Sequence, residues 1–183
     1  MTSKNIYCLE SNWKSHPSSK QSIKPILDLL NTTYNVKYIY KKCLTKDDFI
    51  MNIERYAFKR YKNYPILYIA CHGKRNRIQV GNEYITLNEI SNVLQGKLKG
   101  KFVHFGSCST LSTSWRNISN FISVTKCNFI SGYCKDVDYI GSTAFELLFF
   151  QILQEISLVS KIEKKISKEF HSIAKKLNFN IYD

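Results

Sequence analysis

The stretch Pro65 to Cys71, PILYIAC, is apolar at nearly every position. A strand with one face in water alternates apolar and polar side chains, whereas a strand covered by helices on both faces reads as an uninterrupted apolar run. The chain is therefore constrained to a parallel sheet with helices on either side. Lys101 to Phe105 and Asn128 to Tyr133 repeat the signature in shorter form, and Asn5 to Leu9 and Val36 to Lys41 supply two further strands.

Helical patterns fill the intervals. Ile23, Ile26, Leu27 and Leu30 fall at i, i+3, i+4, i+7, one face of a helix. Thr45 is placed to cap a second helix that turns Phe49, Ile53 and Tyr56 inward. Arg77 to Thr86 predicts a hairpin around Gly81-Asn82, and Thr86-x-x-Glu89 is a capping box for a helix ending at Gly96. Trp115, Ile118, Phe121 and Ile122 mark another helix. Thr143-x-x-Glu146 and Ser160-x-x-Glu163 read as capping boxes of two last helices. The order is βαβαβ, a hairpin, then αβαβαα, which specifies a three-layer α/β/α fold with a mostly parallel sheet. One domain, residues 1–183, is expected, with 143–183 as C-terminal helices packed on or extending the core.

Forty-four per cent hydrophobic residues in 183 suffice for a core. The net charge of +13 would draw nucleic acid if it were gathered on one face. The lysines instead scatter along the chain. They are densest at 161–176, where helical spacing sets them opposite Ile162, Ile166, Phe170 and Ile173 as a solvated face. Nucleic acid is therefore not the expected partner. The first twenty residues lack the apolar core of a signal peptide, and Phe145 to Leu153 is too short and too interrupted by Glu146 and Gln151 to span a bilayer. A cytoplasmic protein without a membrane partner is expected. The six cysteines contain no C-x-x-C pair, so neither a disulfide framework nor a zinc site is expected, and no cofactor is implied.

In parallel α/β sheets ligands bind beyond the carboxyl ends of the strands. LYIACHG ends there at His72 and KFVHFGSCST at Cys108. A thiol with its ordinary pKa near 8.5 is mostly protonated at neutral pH and needs a base to become a nucleophile. His72 would take that proton and later return it to a leaving amine. Gly73 leaves its N–H open to a reacting carbonyl, and with the Cys108 N–H would form an oxyanion hole. Gly106, Ser107 and Ser109 leave the sulfur accessible. His104 lies inside a strand, a place for packing or a local hydrogen bond, while His16 and His171 have no partner in view. Cys71-x5-Arg77 has the spacing of a tyrosine-phosphatase loop, but a hairpin follows it instead of a helix, and Ala70 stands where the usual histidine would be.

Taken in order, LYIACHG, a hairpin and helix, FVHFGSCST, and FISGYCKDVDYIGSTAFE resemble the caspase-like (clan CD) cysteine peptidases, especially the bacterial CHAT group. The likeness runs from about Asn5 to Phe150. Its last part is Val137-Asp138 followed by Ser142, Thr143 and Ala144. The resemblance implies a caspase-like fold with a hairpin after the His-bearing strand. It also implies a His72–Cys108 dyad with Gly73 at the oxyanion, acting on a protein or peptide substrate. Around the nucleophile, Ser107-Cys108-Ser109 replaces the common Ala-Cys-Glu, which leaves substrate preference open. Relatives build the P1 pocket from two loops whose counterparts here hold Glu10 and the stretch Asp136 to Asp138, and carboxylates at Glu10, Asp136 and Asp138 would favour Arg or Lys. The chain lacks the added repeat domains of many CHAT proteins, so a regulator would be a separate protein. Related domains are frequently effectors of anti-phage defence. The alternatives are a non-catalytic or partner-activated interaction module of the same fold, and a basic nucleic-acid-binding protein.

Overall fold

The structure is a computed structural model that describes residues 3–13 and 21–183. The middle of the first polar loop, with His16, lies outside the described residues. Five parallel strands form the centre of the sheet: β1 (Ile6–Glu10), β2 (Tyr38–Lys42), β3 (Ile66–Ala70), β7 (Phe102–Phe105) and β8 (Phe129–Tyr133). A short antiparallel sheet of β4 (His72–Lys74), β5 (Arg77–Val80) and β6 (Glu83–Thr86) rises after β3, and β9 (Phe179–Tyr182) closes the main sheet antiparallel to β8. The main sheet runs β2-β1-β3-β7-β8-β9.

The unbroken apolar strands are explained by two separate cores. Side chains alternate across the sheet, so Tyr7, Leu9, Leu67, Ile69, Val103 and Phe105 join one core. Ile6, Cys8, Ile66, Tyr68, Ala70 and Phe102 join the other. Helices α2 (Lys46–Tyr56), α3 (Leu87–Val93) and α4 (Trp115–Thr125) cover the first face with Phe49, Ile53, Ile90 and Phe121. Helices α1 (Lys24–Tyr34), α5 (Tyr139–Glu155), α6 (Val159–Glu169) and α7 (His171–Leu177) cover the second with Leu27, Leu30, Phe149 and Ile162. The molecule is thus the three-layer α/β/α fold with a mostly parallel sheet that the alternation of segments specifies. No helix among the described residues is long and apolar enough to cross a membrane.

Of the four capping signals, those at Thr45 and Thr86 hold. Thr45 accepts from the Asp48 N–H, and Thr86 and Glu89 make both halves of their capping box. Three expectations fail. Helix α5 starts four residues before Thr143, because the Asp138 carboxylate caps it by accepting from the Gly141 N–H at 2.6 Å. That places Glu146 in the helix interior, facing the sheet, and 2% exposed. Ser160 likewise falls inside α6, which begins after Leu158 without a side-chain cap. The C-terminal stretch is also not helical to its end. The chain turns at Asn178, in the left-handed region at φ 49°, and returns as β9.

Glu146 is the polar centre of the second core. Tyr68 donates to its Oε2, and Tyr133 and His104 Nε2 each lie 3.2 Å from Oε1. His104 Nδ1 meets Ser131 Oγ at 3.0 Å. One carboxylate therefore ties α5 to β3, β7 and β8, with each buried polar atom matched, as burial in low dielectric demands.

On the opposite face, Lys46 bridges to Glu89 at 2.7 Å. This bond, with donors from Thr86, holds the Glu89 carboxyl at about 2, below its ordinary 4.5. A depressed folded-state pKa stabilises the fold above the unfolded value and loses that contribution as pH falls through the folded one. Glu89→Gln is therefore expected to unfold at lower urea concentration than wild type at pH 7, with the gap closing between about pH 4.5 and pH 2. A gap constant across that window would mean that the carboxylate charge contributes nothing.

Candidate active site

His72 and Cys108 leave the sheet at matched positions. Ile69 pairs with Phe105 across the adjacent parallel strands β3 and β7, and each candidate residue lies three positions further on. Parallel neighbours place these exits on the same rim. The two exit loops then bind to each other. The Gly106 N–H donates to Ile69 O at 2.9 Å, the Cys71 N–H reaches Ser107 Oγ at 3.4 Å, and the Asn76 N–H donates to Thr110 O at 3.2 Å.

Gly73 is where the loops touch most closely. A Cβ built there would stand well under 3.0 Å from the Cys108 carbonyl oxygen and Thr110 Oγ1, and 2.9 Å from Ser107 Cβ. The glycine next to the histidine is thus required by the backbone beside the cysteine. Gly106 is constrained in the same way from below, since a Cβ there would meet Glu146 Oε1 at 2.7 Å. The buried carboxylate therefore fixes the start of the Cys108 loop.

The imidazole is oriented by a group that the sequence does not disclose. His72 Nε2 lies 2.6 Å from the Trp13 carbonyl, and the two rings meet edge-on at 5.5 Å. A carbonyl only accepts, so Nε2 carries the proton and Nδ1 is the basic nitrogen of the neutral ring. Trp13 is in turn held by Glu10. The indole N–H donates to Oε1, which also accepts from the Ile23 N–H at 2.8 Å; Ser22 at 2.6 Å and Tyr40 at 2.5 Å donate to Oε2. Glu10 is 1% exposed. His72 itself is exposed and lines a cleft of about 670 Å³ with Asn12, Trp13, Lys74, Gln79 and Asn82.

Cys108 is half-buried. Its Sγ accepts from the Val137 N–H at 3.5 Å and lies 3.6 Å from the Val137 carbonyl. Burial pushes the thiol above its ordinary value, against the opposing pull of the Val137 N–H. The next residue, Ser109, has φ 51°, a left-handed conformation that a non-glycine residue adopts only under constraint. The constraint is visible: the Ser109 N–H donates to Lys135 O at 2.9 Å and its hydroxyl to Asp136 Oδ1 at 2.6 Å.

The remaining sequence candidates fall into place around this core. Of the three carboxylates assigned to a P1 pocket, Glu10 is buried with both oxygens engaged, Asp136 holds Ser109, and Asp138 caps α5. Only Asp136 and Asp138 are exposed. Cys71 is fully buried in the first core with its thiol driven far up by burial, which removes the phosphatase-like reading. No group of three His, Cys, Asp or Glu side chains among the described residues is arranged to hold a metal. The contributions of Trp13 and Val137 come from main-chain atoms, which carry no sequence signature.

If the contact at Gly73 holds the loops together, Gly73→Ala must displace the Cys108 backbone. It is expected to cost about 2 kcal/mol in urea unfolding, whereas an unchanged midpoint would mean that the loops are not in register.

No curated protein matches the sequence. Residues 3–183 match a family of unknown function, DUF6642. The chain belongs to that family.

Proposed function

We propose that this protein is a cysteine endopeptidase of the caspase-like type, with Cys108 as nucleophile and His72 as its general base. The observation that carries this reading is the joining of the two strand-end loops, with Gly73 pressed against the Cys108 carbonyl. It puts the residue next to the imidazole against the residue that bears the thiol. The Trp13 carbonyl adds the tautomer such a base requires, leaving Nδ1 free to take a proton. In the proposed reaction Nδ1 accepts the thiol proton, the sulfur attacks the substrate carbonyl carbon, and the imidazolium then protonates the departing amine. Water hydrolyses the resulting thioester and restores the thiol.

A partner-activated form of this enzyme is favoured by the resting state of the sulfur. The thiol is raised by burial and engaged with the Val137 main chain. A segment that drew 135–138 away would expose the sulfur and remove part of the desolvation that keeps it protonated. Asp136 and Asp138, exposed within 135–138, are the carboxylates available to a basic P1 side chain. A cytoplasmic setting is supported by six free cysteines, the pattern of a reducing compartment. A role as a defence effector rests on the CHAT resemblance alone.

A thiol-directed activity probe tests the dyad. Wild type is expected to label, Cys108→Ala to lose labelling, and His72→Ala to label at least about 100-fold more slowly, the low end for loss of a general base. Equal labelling of all three would remove the reading. Cys108→Ala should melt within a few degrees of wild type, because a half-exposed thiol makes few core contacts.

A further inference from the structure

Part of the positive charge that scatters along the sequence gathers in space. Because the five central strands are parallel, the segments leading into them all lie on the rim opposite His72 and Cys108. Main-chain bonds join these segments in a row. The Ile6 N–H donates to Lys37 O, the Ile66 N–H to Asn5 O, the Phe102 N–H to Pro65 O, and the Asn128 N–H to Lys101 O. Residues 3–5, 35–37, 57–65, 96–101 and 126–128 contain no Asp or Glu. They present Lys37, Lys59, Arg60, Lys62, Lys99 and Lys126, all exposed. None of the six forms an ion pair with a described residue. The opposite rim is mixed in sign, with Glu10, Asp47, Asp48, Asp136 and Asp138 at or just after the strand ends.

With neighbouring strands about 4.8 Å apart, the row from Lys37 to Lys126 extends about 19 Å. This length suits several successive phosphates of an extended strand. An open cleft of about 580 Å³ lies on the same rim, lined by Lys37, Lys62, Asn35 and Asn63 among others. Aromatic surface accompanies the charge. Phe58 is 54% exposed, and the Arg60 guanidinium lies 5.7 Å from its ring and 4.8 Å from that of Tyr61. Cations aligned with an exposed ring are the elements of a surface for unpaired nucleotides, in which phosphates meet the charges and a base stacks on the ring. Anionic membrane would use the charge but has no use for the cleft or for a ring backed by arginine.

We propose that the N-terminal rim of the sheet binds single-stranded nucleic acid, at a site separate from the candidate active centre. The test is fluorescence anisotropy with a labelled oligo(dT) of roughly 20 nucleotides at about 50 mM salt, with salt titration. Wild type should bind with a log–log salt slope near −3, corresponding to about four phosphates at 0.7 per contact on a single strand. Lys62→Glu/Lys99→Glu/Lys126→Glu should weaken binding at least about 30-fold and flatten the slope. Phe58→Ala should weaken it at least about 5-fold. The control, Lys161→Glu/Lys164→Glu/Lys168→Glu on exposed positions of α6, makes the same change in net charge and should shift affinity less than about 3-fold. Cys108→Ala should bind as wild type, which keeps this site independent of the protease reading. Equal weakening by the two triple variants would mean that binding follows net charge alone and would overturn the proposal. So would the absence of oligonucleotide binding, including the case in which phosphatidylserine vesicles are bound instead.

Discussion

The parallel pairing of β3 with β7 is the constraint from which the candidate site follows. Ile69 opposite Phe105 brings two chain segments, distant in sequence, out of the sheet on one rim at equal height. That pairing persists because both faces of both strands are buried, Leu67, Ile69, Val103 and Phe105 toward one core and Ile66, Tyr68 and Phe102 toward the other. A slip of one residue would exchange the two faces of β7 and take His104 away from Glu146 and Ser131 into the first core. The register is thus fixed by where one imidazole finds partners.

Those partners make Glu146 more than a buried charge. Its oxygens receive Tyr68, His104 and Tyr133, and leave no room for a side chain at Gly106. The carboxylate specifies the register of three strands, the docking of α5 and the first turn of the Cys108 loop together. Such a network stabilises only when every member is satisfied, because removal of one leaves the others desolvated and unpaired. On the upper rim Glu10 has the same logic: buried, with four donors, it secures Trp13, whose carbonyl orients His72. Two buried carboxylates thus brace the backbone around the two candidate residues, Glu146 at Gly106 and Glu10 at Trp13.

A parallel sheet also sorts charge. Each of the five parallel strands begins on one rim and ends on the other, so lysines just before those strands gather on one edge, while capping and loop acids after them mix with basic residues opposite. This separation is invisible along the chain, where the same residues are tens of positions apart.

The five parallel strands, most of the helices and the positions of His72 and Cys108 were legible in the sequence because burial on two faces and N-capping are local signals, carried by runs such as PILYIAC and pairs such as Thr86 and Glu89. The misreadings have a common origin. Thr143-x-x-Glu146 has the pattern of a cap, but Asp138 capped the helix first and the sheet claimed Glu146, a choice made by partners on three other strands. The strand β9 was missed because Phe179 to Tyr182 is too short to show a period and gains its identity only by pairing with β8. The sequence by itself determined a two-faced parallel sheet and which residues end its central strands, since apolar pattern and chain order suffice for both. Only the tertiary structure decided that Trp13 and Val137 lend main-chain atoms to the site, that Gly73 touches Cys108, and that six basic residues from separate segments share a rim, since each depends on segments that meet only after the sheet has formed.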